Sequence, residues 1–216
     1  MKENDPNLIQ DSGWFYRIPR QTEQASTKIC ILIHGWTGDE YSMDIFLRAV
    51  PAEFAVLSPR GPVTTVEGGF GWVAHRPGNL ALYQDFKKTA QELRSRLDHW
   101  ITQNYMPGGK LTLVGFSQGA AMALSFGLAY PERVDRIACL SGFLPQGILP
   151  DETSLPLLGV NIFIAHGIQD KTILIHRAHE AADWLQRAGA NITTCESNVG
   201  HRLGANCFQA LKNFLK

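Results

Sequence analysis

The sequence lacks a surplus of charge of either sign, with 20 Lys and Arg residues against 20 Asp and Glu residues. A positive field is what draws a protein to nucleic acid or to an anionic membrane, so the balance predicts no nucleic-acid partner. The chain also lacks an uninterrupted apolar run of about 18 residues, the length that crosses a bilayer, and residues 1–6 contain no apolar signal-peptide core. We therefore expect a cytoplasmic protein without a membrane span.

Cysteine is scarce as well, with four residues in 216 and no C-x-x-C pair, so a structural zinc site has no ligand pattern. Cys30 and Cys139 lie inside apolar, strand-like runs, where a free thiol behaves as a small buried hydrophobe. His176 and His179 share one helical face, but no third ligand is evident, which favours a solvated face over a metal site. We expect a reduced protein that needs no metal and no cofactor.

The length and composition are those of one globular domain over residues 1–216, of which the polar residues 1–11 are expected to be flexible. Lys28–Ile33 is a nearly continuous apolar run of strand length, as in a parallel strand covered on both faces. From residue 80 to residue 105, apolar side chains recur every three or four positions, which predicts a long amphipathic helix. Strands and helices of these kinds alternate along the chain. This order predicts an α/β fold with a mostly parallel central sheet and helices on both faces.

Further elements follow from the same patterns. The predicted strands are an edge strand Trp14–Ile18 that Pro19 limits, then Ala55–Leu57, Leu111–Val114, Ile137–Leu140, Asn161–Ala165 and a strand near 191–196. The predicted helices cover residues 41–50, 120–130, 174–188 and 205–215, and residues 58–79 and 141–158 are expected to be irregular. In such a sheet, functional groups gather at the carboxyl ends of the strands.

The stretch Gly115-Phe116-Ser117-Gln118-Gly119 is a G-x-S-x-G element between an apolar strand and a run of helix formers. A serine on so tight a strand-to-helix turn points its hydroxyl out of the sheet, and the flanking glycines allow close backbone approach. The element predicts that Ser117 is a nucleophile.

Two further polar groups follow strands, so they are expected at the same rim as Ser117. Asp170 comes after the strand that ends at Ala165, and His201 comes after the strand near residue 196. A serine hydroxyl needs a base, and an imidazole, whose ordinary pKa is about 6.5, can take the proton and return it. A carboxylate at the far ring nitrogen fixes the tautomer, which is the role we predict for Asp170, with Asp135 and Asp151 as substitutes.

The tetrahedral intermediate of acyl transfer needs hydrogen-bond donors, and we predict the backbone N–H groups of Trp36 and Gln118 for this oxyanion hole. For the irregular segments, walls of an acyl pocket and plain packing under loops are equally good interpretations, and we choose the pocket for Trp72 and Phe143. His34 and His166, each followed by glycine, are interpreted as architectural.

With these residues assembled, the chain resembles the α/β-hydrolase superfamily, and within it the small carboxylesterase, phospholipase and acyl-protein thioesterase family. The segments that carry the resemblance are Leu32–Glu40, Pro59–Pro62, Gly71-Trp72, Gly115–Gly119, His166-Gly167 with Asp170, and Gly200-His201. The resemblance implies a triad of Ser117, Asp170 and His201, oxyanion donors at Trp36 and Gln118, and hydrolysis of carboxylic esters or thioesters without cofactor. It implies a small-molecule ester or an acylated protein as substrate, and it leaves open whether the protein is a homodimer.

The sequence departs from the family pattern after His34-Gly35. Bulky Trp36 and Thr37 stand where the family has a longer turn and a second small residue, which narrows the acyl site. The short chain leaves no room for a large cap domain, so a shallow, open site is implied. An acyltransferase or lactonase on the same fold, and a hydrolase-like binding module without catalysis, are the alternative functions.

Overall fold

The computed structural model describes residues 5–11, 13–20, 28–74, 81–103, 109–148 and 155–216. Its strands are β1 (Leu8–Asp11), β2 (Trp14–Arg20), β3 (Ile29–Ile33), β4 (Ala55–Pro59), β5 (Val63–Thr64), β6 (Phe70–Gly71), β7 (Leu111–Phe116), β8 (Val134–Leu140), β9 (Asn161–Gly167) and β10 (Asn191–Ser197). Eight of them form one sheet in the order β1-β2-β4-β3-β7-β8-β9-β10, and β5 and β6 form a separate antiparallel pair. From β4 to β10 all neighbours are parallel, whereas β1 and β2 are added antiparallel at one edge.

The helices cover both faces of this sheet, as the sequence pattern predicts. They are α1 (Tyr83–Gln103), α2 (Gln118–Ala129), α3 (His176–Arg187) and α4 (Ala205–Phe214), with short 3-10 helices at Asp44–Arg48 and Pro131–Arg133. Apolar side chains of α1, α2 and α3 pack in one core cluster. Those of α4 and of the first 3-10 helix pack in the other cluster. None of the described helices has the length and hydropathy needed to cross a membrane.

Strand β3 shows why a continuous apolar run suits this position. Ile29, Ile31 and Ile33 point into one core cluster, while Cys30 and Leu32 point into the other. Successive side chains of a strand alternate between faces, so a strand with helices on both sides must be apolar at every position. The sequence-based interpretation of this run is confirmed.

The structure differs from the predictions near the amino terminus. Leu8–Asp11, expected to be flexible, pairs with β2 as strand β1, so β2 is not the edge strand. Pro19 does not end β2, because it lies between Arg17 and Arg20, where the register with β4 shifts. A proline without an N–H is accommodated at such an irregularity.

Two other predicted elements also change. The helix expected over residues 41–50 is reduced to the 3-10 helix Asp44–Arg48. The segment expected to be irregular after residue 58 contains the short pair β5 and β6, closed by a tight turn in which Gly68 and Gly69 have positive φ. A two-residue strand is too short for an alternating pattern to reveal it.

The cysteines divide into two kinds. Cys30 and Cys139 are free and buried as predicted, and burial raises the pKa of each thiol to about 12. The expectation of a fully reduced protein is wrong for Cys195 and Cys207, which form a disulfide between β10 and α4. The cytoplasmic location rests in part on free thiols and stays a prediction.

The amino end of α2 lies directly against β3. A Cβ added to Gly119 would overlap the carbonyl oxygens of Ile33 and His34, and one added to Gly115 would overlap the Gly119 carbonyl. Both flanking glycines of the serine element are therefore required by backbone contacts, as the sequence analysis proposed.

We predict that Gly119→Ala lowers the free energy of unfolding by about 1–3 kcal/mol or more, because the new methyl group meets backbone that side-chain rotation cannot move. Urea denaturation followed by circular dichroism measures this loss. Gly200→Ala is the matched control, because the nearest atom to its added Cβ is the Gln169 carbonyl oxygen at 4.0 Å. Equal stability of the two variants would contradict the packing described for α2.

We also predict that the Cys195→Ser, Cys207→Ser double variant loses about 3 kcal/mol of stability. The disulfide closes a loop with a sequence separation of 12, and opening it restores the conformational freedom of the unfolded chain. Thermal unfolding with and without a thiol reductant checks this value. Reduction should destabilise the parent protein and leave the double variant unchanged, and a parent protein insensitive to reductant would contradict the bond.

Candidate active site

Ser117 lies on the sharp turn between β7 and α2. Its backbone has φ 54 and ψ −118, a conformation rare for a residue with a side chain. The turn is held in place because the Ser117 N–H donates to the Leu140 carbonyl of β8 at 2.9 Å. Strain of this kind persists only where the surroundings impose it, and here it aims the hydroxyl away from the sheet.

The structure brings Ser117, His201 and Asp170 together at the carboxyl edge of the sheet. His201 Nε2 lies 2.9 Å from Ser117 Oγ, and His201 Nδ1 lies 2.7 Å from Asp170 Oδ2. The Asp170 side chain is fully buried, whereas the His201 side chain is 24% exposed. The sequence order Ser, Asp, His therefore becomes one continuous chain of hydrogen bonds.

Asp170 is held by donors on both carboxylate oxygens. Its Oδ1 accepts hydrogen bonds from the N–H groups of Thr172 at 2.8 Å and Ile173 at 3.0 Å, while Oδ2 faces His201. Burial by itself raises the pKa of this carboxyl, but the hydrogen bonds from His201, Ile173 and Thr172 outweigh it and lower the pKa below its ordinary value. Asp170 is therefore an anion at neutral pH.

The ionised Asp170 determines the proton positions on His201. A carboxylate only accepts hydrogen bonds, so Nδ1 of the ring carries a hydrogen, and this N–H donates a hydrogen bond to Oδ2. Nε2 of the neutral ring then has a lone pair, which can accept the hydrogen bond of the Ser117 hydroxyl. The arrangement can move a proton from the serine to the imidazole.

His166 lies on the far side of Asp170 and is buried. Its Nε2 donates to the Ile173 carbonyl at 2.7 Å and lies 3.4 Å from Asp170 Oδ2. The ring thus binds the turn that contains Thr172 and Ile173, whose N–H groups bind Asp170, and so helps to hold the carboxylate in place. This placement fits the architectural role predicted for His166.

The predicted oxyanion donors flank Ser117. A Cβ on Gly35 would lie 3.3 Å from the Ser117 Cβ, so the His34-Gly35-Trp36 turn lies directly against the serine. Gln118 is the first residue of α2, where backbone N–H groups have no intrahelical acceptor. The two segments could therefore present N–H groups to an oxygen bound next to Ser117.

His34 supports this turn from below. Its Nδ1 donates to the Gly35 carbonyl at 2.7 Å, and its Nε2 accepts from the Gly61 N–H at 2.9 Å. Burial lowers the pKa of His34, so the ring is neutral and both nitrogens are used in one tautomer. The architectural interpretation of His34 agrees with this geometry.

The structure corrects the prediction for Trp72 and Phe143, because neither lines the cavity beside Ser117. Trp72 is completely buried, and its Nε1 donates to the His34 carbonyl at 2.7 Å. The backbone N–H of Trp72 also donates to Oε1 of Gln118 at 2.7 Å. Phe143 packs edge-on against Phe86 in the core. An aromatic residue in an irregular segment gives no sequence signal that separates a pocket wall from a core residue.

Arg60 and Glu40, from two of the segments that carry the family resemblance, form a buried bidentate ion pair. Arg60 Nε and Nη2 lie 2.6 and 2.7 Å from the two carboxylate oxygens of Glu40. The guanidinium lies between the rings of Phe15 and Phe70. This pair joins the turn after β3 to the turn after β4, next to the Gly61 N–H that binds His34.

A cavity of about 510 Å³ opens beside Ser117 and His201. Its other walls come from the turn after β3, the 3-10 helix and the beginning of α4. The apolar side chains among them are Met43, Ile45, Phe46, Phe116, Leu203 and Phe208. No sequence pattern identified these residues as pocket walls, although Phe116 and Leu203 lie within two positions of the predicted nucleophile and base.

The alternative candidates lie elsewhere. Asp135 is bound to Arg136 at 2.8 Å, and Asp151 lies outside the described residues. His179 is exposed and pairs with Glu196 at 2.7 Å, as expected for a solvated helix face. The structure therefore gives His201 only Asp170 as a carboxylate partner among the described residues.

Comparison with known proteins agrees with this geometry. Residues 19–216 match the family model described as phospholipase/carboxylesterase. A probable carboxylesterase SOBER1-like of Arabidopsis thaliana is 32% identical over 127 residues, which cover 55% of this chain and 47% of that relative. Acyl-protein thioesterase 1 of Aspergillus fumigatus is 25% identical over 225 residues, covering 93% of this chain and 91% of that protein.

The fold is also found among solved structures. The carboxylesterase of Bacillus cereus superposes with a TM-score of 0.84 at 23% sequence identity, covering 95% of this chain and 94% of that chain. Such a likeness shows the fold, and with it the predicted α/β-hydrolase architecture is confirmed. Because the family model extends over nearly the whole sequence, the chain belongs to the phospholipase/carboxylesterase family of α/β-hydrolases.

Proposed function

We propose that the protein is a serine hydrolase that cleaves carboxylic esters or thioesters through an acyl-enzyme. The observation that carries the proposal is the continuous contact from Ser117 Oγ through His201 to the buried Asp170, at 2.9 and 2.7 Å. Three groups of these types in this order supply a nucleophile, a base and the anion that orients the base.

In the first half of the reaction, His201 Nε2 takes the proton of Ser117 as Oγ attacks the carbonyl carbon. The backbone N–H groups of Trp36 and Gln118 stabilise the oxyanion that forms. The protonated ring then gives its proton to the leaving alcohol or thiol as the bond to the carbonyl carbon breaks. Ser117 now carries the acyl group.

The second half repeats the same proton movements with water. The neutral His201 removes a proton from a water molecule that attacks the acyl carbon, and the proton returns to Ser117 Oγ as the acid leaves. Asp170 remains an anion throughout and stabilises the imidazolium in both halves. No metal or cofactor is required for these steps.

The choice of substrate class rests on the family and the site together. The relatives bear the names carboxylesterase and acyl-protein thioesterase, which differ in the leaving atom and in the size of the substrate. The apolar walls of the cavity suit an acyl group of small to medium size. We propose a small-molecule ester or thioester, with an acylated protein as the other substrate of the same chemistry.

Acyl transfer and lactone hydrolysis are the alternative reactions on this fold. A transferase would partition its acyl-enzyme to an added alcohol in place of water, and a lactonase would prefer cyclic esters. The cavity beside Ser117 is open to solvent through the exposed Ile45 and Arg202. Water therefore reaches the acyl-enzyme, which favours hydrolysis over transfer.

We predict that Ser117→Ala abolishes turnover of 4-nitrophenyl butyrate, lowering kcat by at least about 10⁴-fold, because alanine keeps the Cβ but removes the attacking oxygen. Stopped-flow or steady-state absorbance measures the loss, and an unchanged thermal unfolding curve shows that the variant is folded.

Labelling with a fluorophosphonate provides the matched test of the same assignment. The parent protein should incorporate one equivalent at Ser117, found by peptide mapping, while Ser117→Ala incorporates none. Retained turnover in the variant, or a label at another serine, would falsify the proposed nucleophile. A binding module without catalysis would take up no label at all.

For the buried carboxylate, we predict that Asp170→Asn lowers kcat by about 10⁴-fold at neutral pH, because the amide can donate to His201 and favours the wrong tautomer. The pKa of Asp170 in the folded protein lies below the ordinary pKa of an aspartate. The stability that its ionised form contributes is therefore fully present at a pH above the ordinary pKa. That contribution is lost as the pH falls through the lowered pKa.

The variant should therefore also lose part of the acid-dependent unfolding of the parent protein. Urea denaturation between neutral pH and pH about 3 measures this difference. Asp135→Asn is the control for kcat and should keep the parent rate. An Asp170→Asn enzyme with the parent kcat would contradict the role of this residue.

A further inference from the structure

Among the described residues that line the cavity beside Ser117, Arg202 is the one side chain with a permanent charge. It follows His201 directly and is exposed. We propose that Arg202 is a specificity-determining residue that binds an anionic group of the substrate, a carboxylate or a phosphate, while the reacting carbonyl lies at Ser117. This inference rests on the proposed hydrolase function and names the class of ester that the same site prefers.

The walls of the cavity around Arg202 are mostly apolar. Apart from Arg202 and His201, the lining side chains in the described part of the chain are apolar or are neutral Ser, Thr and Trp residues, and none of them is Asp or Glu. Pockets for small ligands typically combine apolar walls with a few placed polar groups that determine orientation. A lone cation at the edge of apolar walls matches an ester with an apolar body and one anionic end.

The guanidinium of Arg202 has no carboxylate partner among the described residues, in contrast to other arginines of this protein. Those that form ion pairs are Arg17, Arg60, Arg94, Arg133, Arg136 and Arg177. Its planar fork can bind two oxygens of a carboxylate or phosphate at once. The hydrogen-bonding capacity of Arg202 is therefore available to a ligand in the cavity.

The backbone of Arg202 is held in place although its side chain is exposed. The Arg202 N–H donates to the Gly200 carbonyl at 2.7 Å, and the disulfide between Cys195 and Cys207 closes the loop that carries both His201 and Arg202. Because the Cα of Arg202 is fixed next to His201, the distance between its guanidinium and the reacting carbonyl is limited by the length of the side chain. The anionic group must accordingly lie a few bonds from that carbonyl.

Two pairs of substrates distinguish an anion on the acyl part from an anion on the alcohol part. For the acyl part, the 4-nitrophenyl half-ester of adipic acid is compared with the same ester whose free acid is replaced by a carboxamide. For the alcohol part, 4-carboxyphenyl butyrate is compared with 4-carbamoylphenyl butyrate. Within each pair the two molecules have nearly the same size, so the ratio of their kcat/KM values reports the charge.

In the parent protein, we expect the anionic member of at least one pair to have a kcat/KM about tenfold higher than its neutral partner, the effect of one charge-assisted hydrogen bond at a partly exposed site. Arg202→Gln should reduce this ratio to about one, Arg202→Lys should retain part of it, and Arg202→Glu should invert it. Because exposed charges are screened, 1 M NaCl should also lower the parent ratio.

Arg48→Gln is the matched control, because it removes an exposed arginine from the 3-10 helix beside the cavity without changing the cavity lining. The kcat/KM ratio of this variant should equal that of the parent protein. An equal fall of the ratio in Arg48→Gln and Arg202→Gln would overturn the proposal, because the preference would then come from the summed positive charge near the cavity and not from Arg202. Parent ratios near one for both pairs would also overturn it. That result would leave the hydrolase function intact, since the function is tested separately by Ser117→Ala with a neutral ester.

Discussion

The close approach of α2 to the sheet is the constraint on which the candidate site depends. The helix begins directly at the end of β7, and its first turn touches the backbone of β3, so that no side chain larger than hydrogen fits at Gly115 or Gly119. This contact holds Ser117 in a strained conformation with positive φ and aims its hydroxyl out of the sheet. Larger residues at these two positions would push the helix away from the sheet and change the direction of the Ser117 hydroxyl.

A second layer of buried hydrogen bonds holds the loops around that turn. Trp72 donates to the His34 carbonyl and to the Gln118 side chain, and His34 in turn binds the Gly61 N–H. Gln118 also donates to the Val73 carbonyl at 3.0 Å. Three separate loops are thus connected through neutral polar groups, which keeps the backbone N–H groups of the site at fixed positions.

The other half of the site is fixed in a different way. Asp170 is bound by backbone donors of its own turn. That turn is joined to the loop that carries His201, because the N–H groups of Ile168 and Gln169 donate to carbonyls of that loop. That loop is closed by the bond between Cys195 and Cys207 and presents His201 and Arg202 side by side. The proposed base and the proposed anion-binding residue therefore lie on a loop that a covalent link closes. The turn that carries Ser117 is held by the packing of α2 and by the hydrogen bond from the Ser117 N–H to the Leu140 carbonyl.

Local sequence patterns were sufficient for the main elements of the fold. Strand β3 could be predicted because both faces of it are buried, and α1 because one face of it is not. The short strands β5 and β6 could not be predicted, since two residues carry no period. Strand β1 could not be predicted either, since its four residues show no alternation of apolar and polar side chains and pair only because β2 lies next to them. The 3-10 helix at Asp44–Arg48 was mistaken for a longer helix because its apolar spacing is the same over one turn.

The sequence by itself determined that Ser117, Asp170 and His201 follow parallel strands, because the order of the elements along the chain is a local property and parallel strands end at one edge. It also determined the close backbone contact at Gly115 and Gly119, because only glycine permits it. Only the tertiary structure decided which aromatic side chains reach the cavity and which are buried. It placed Trp72 and Phe143 in the core and Phe116 and Phe208 in the wall. The reason is that packing depends on neighbours distant in the chain, such as the Gln118 side chain that binds Trp72, and no local pattern contains them.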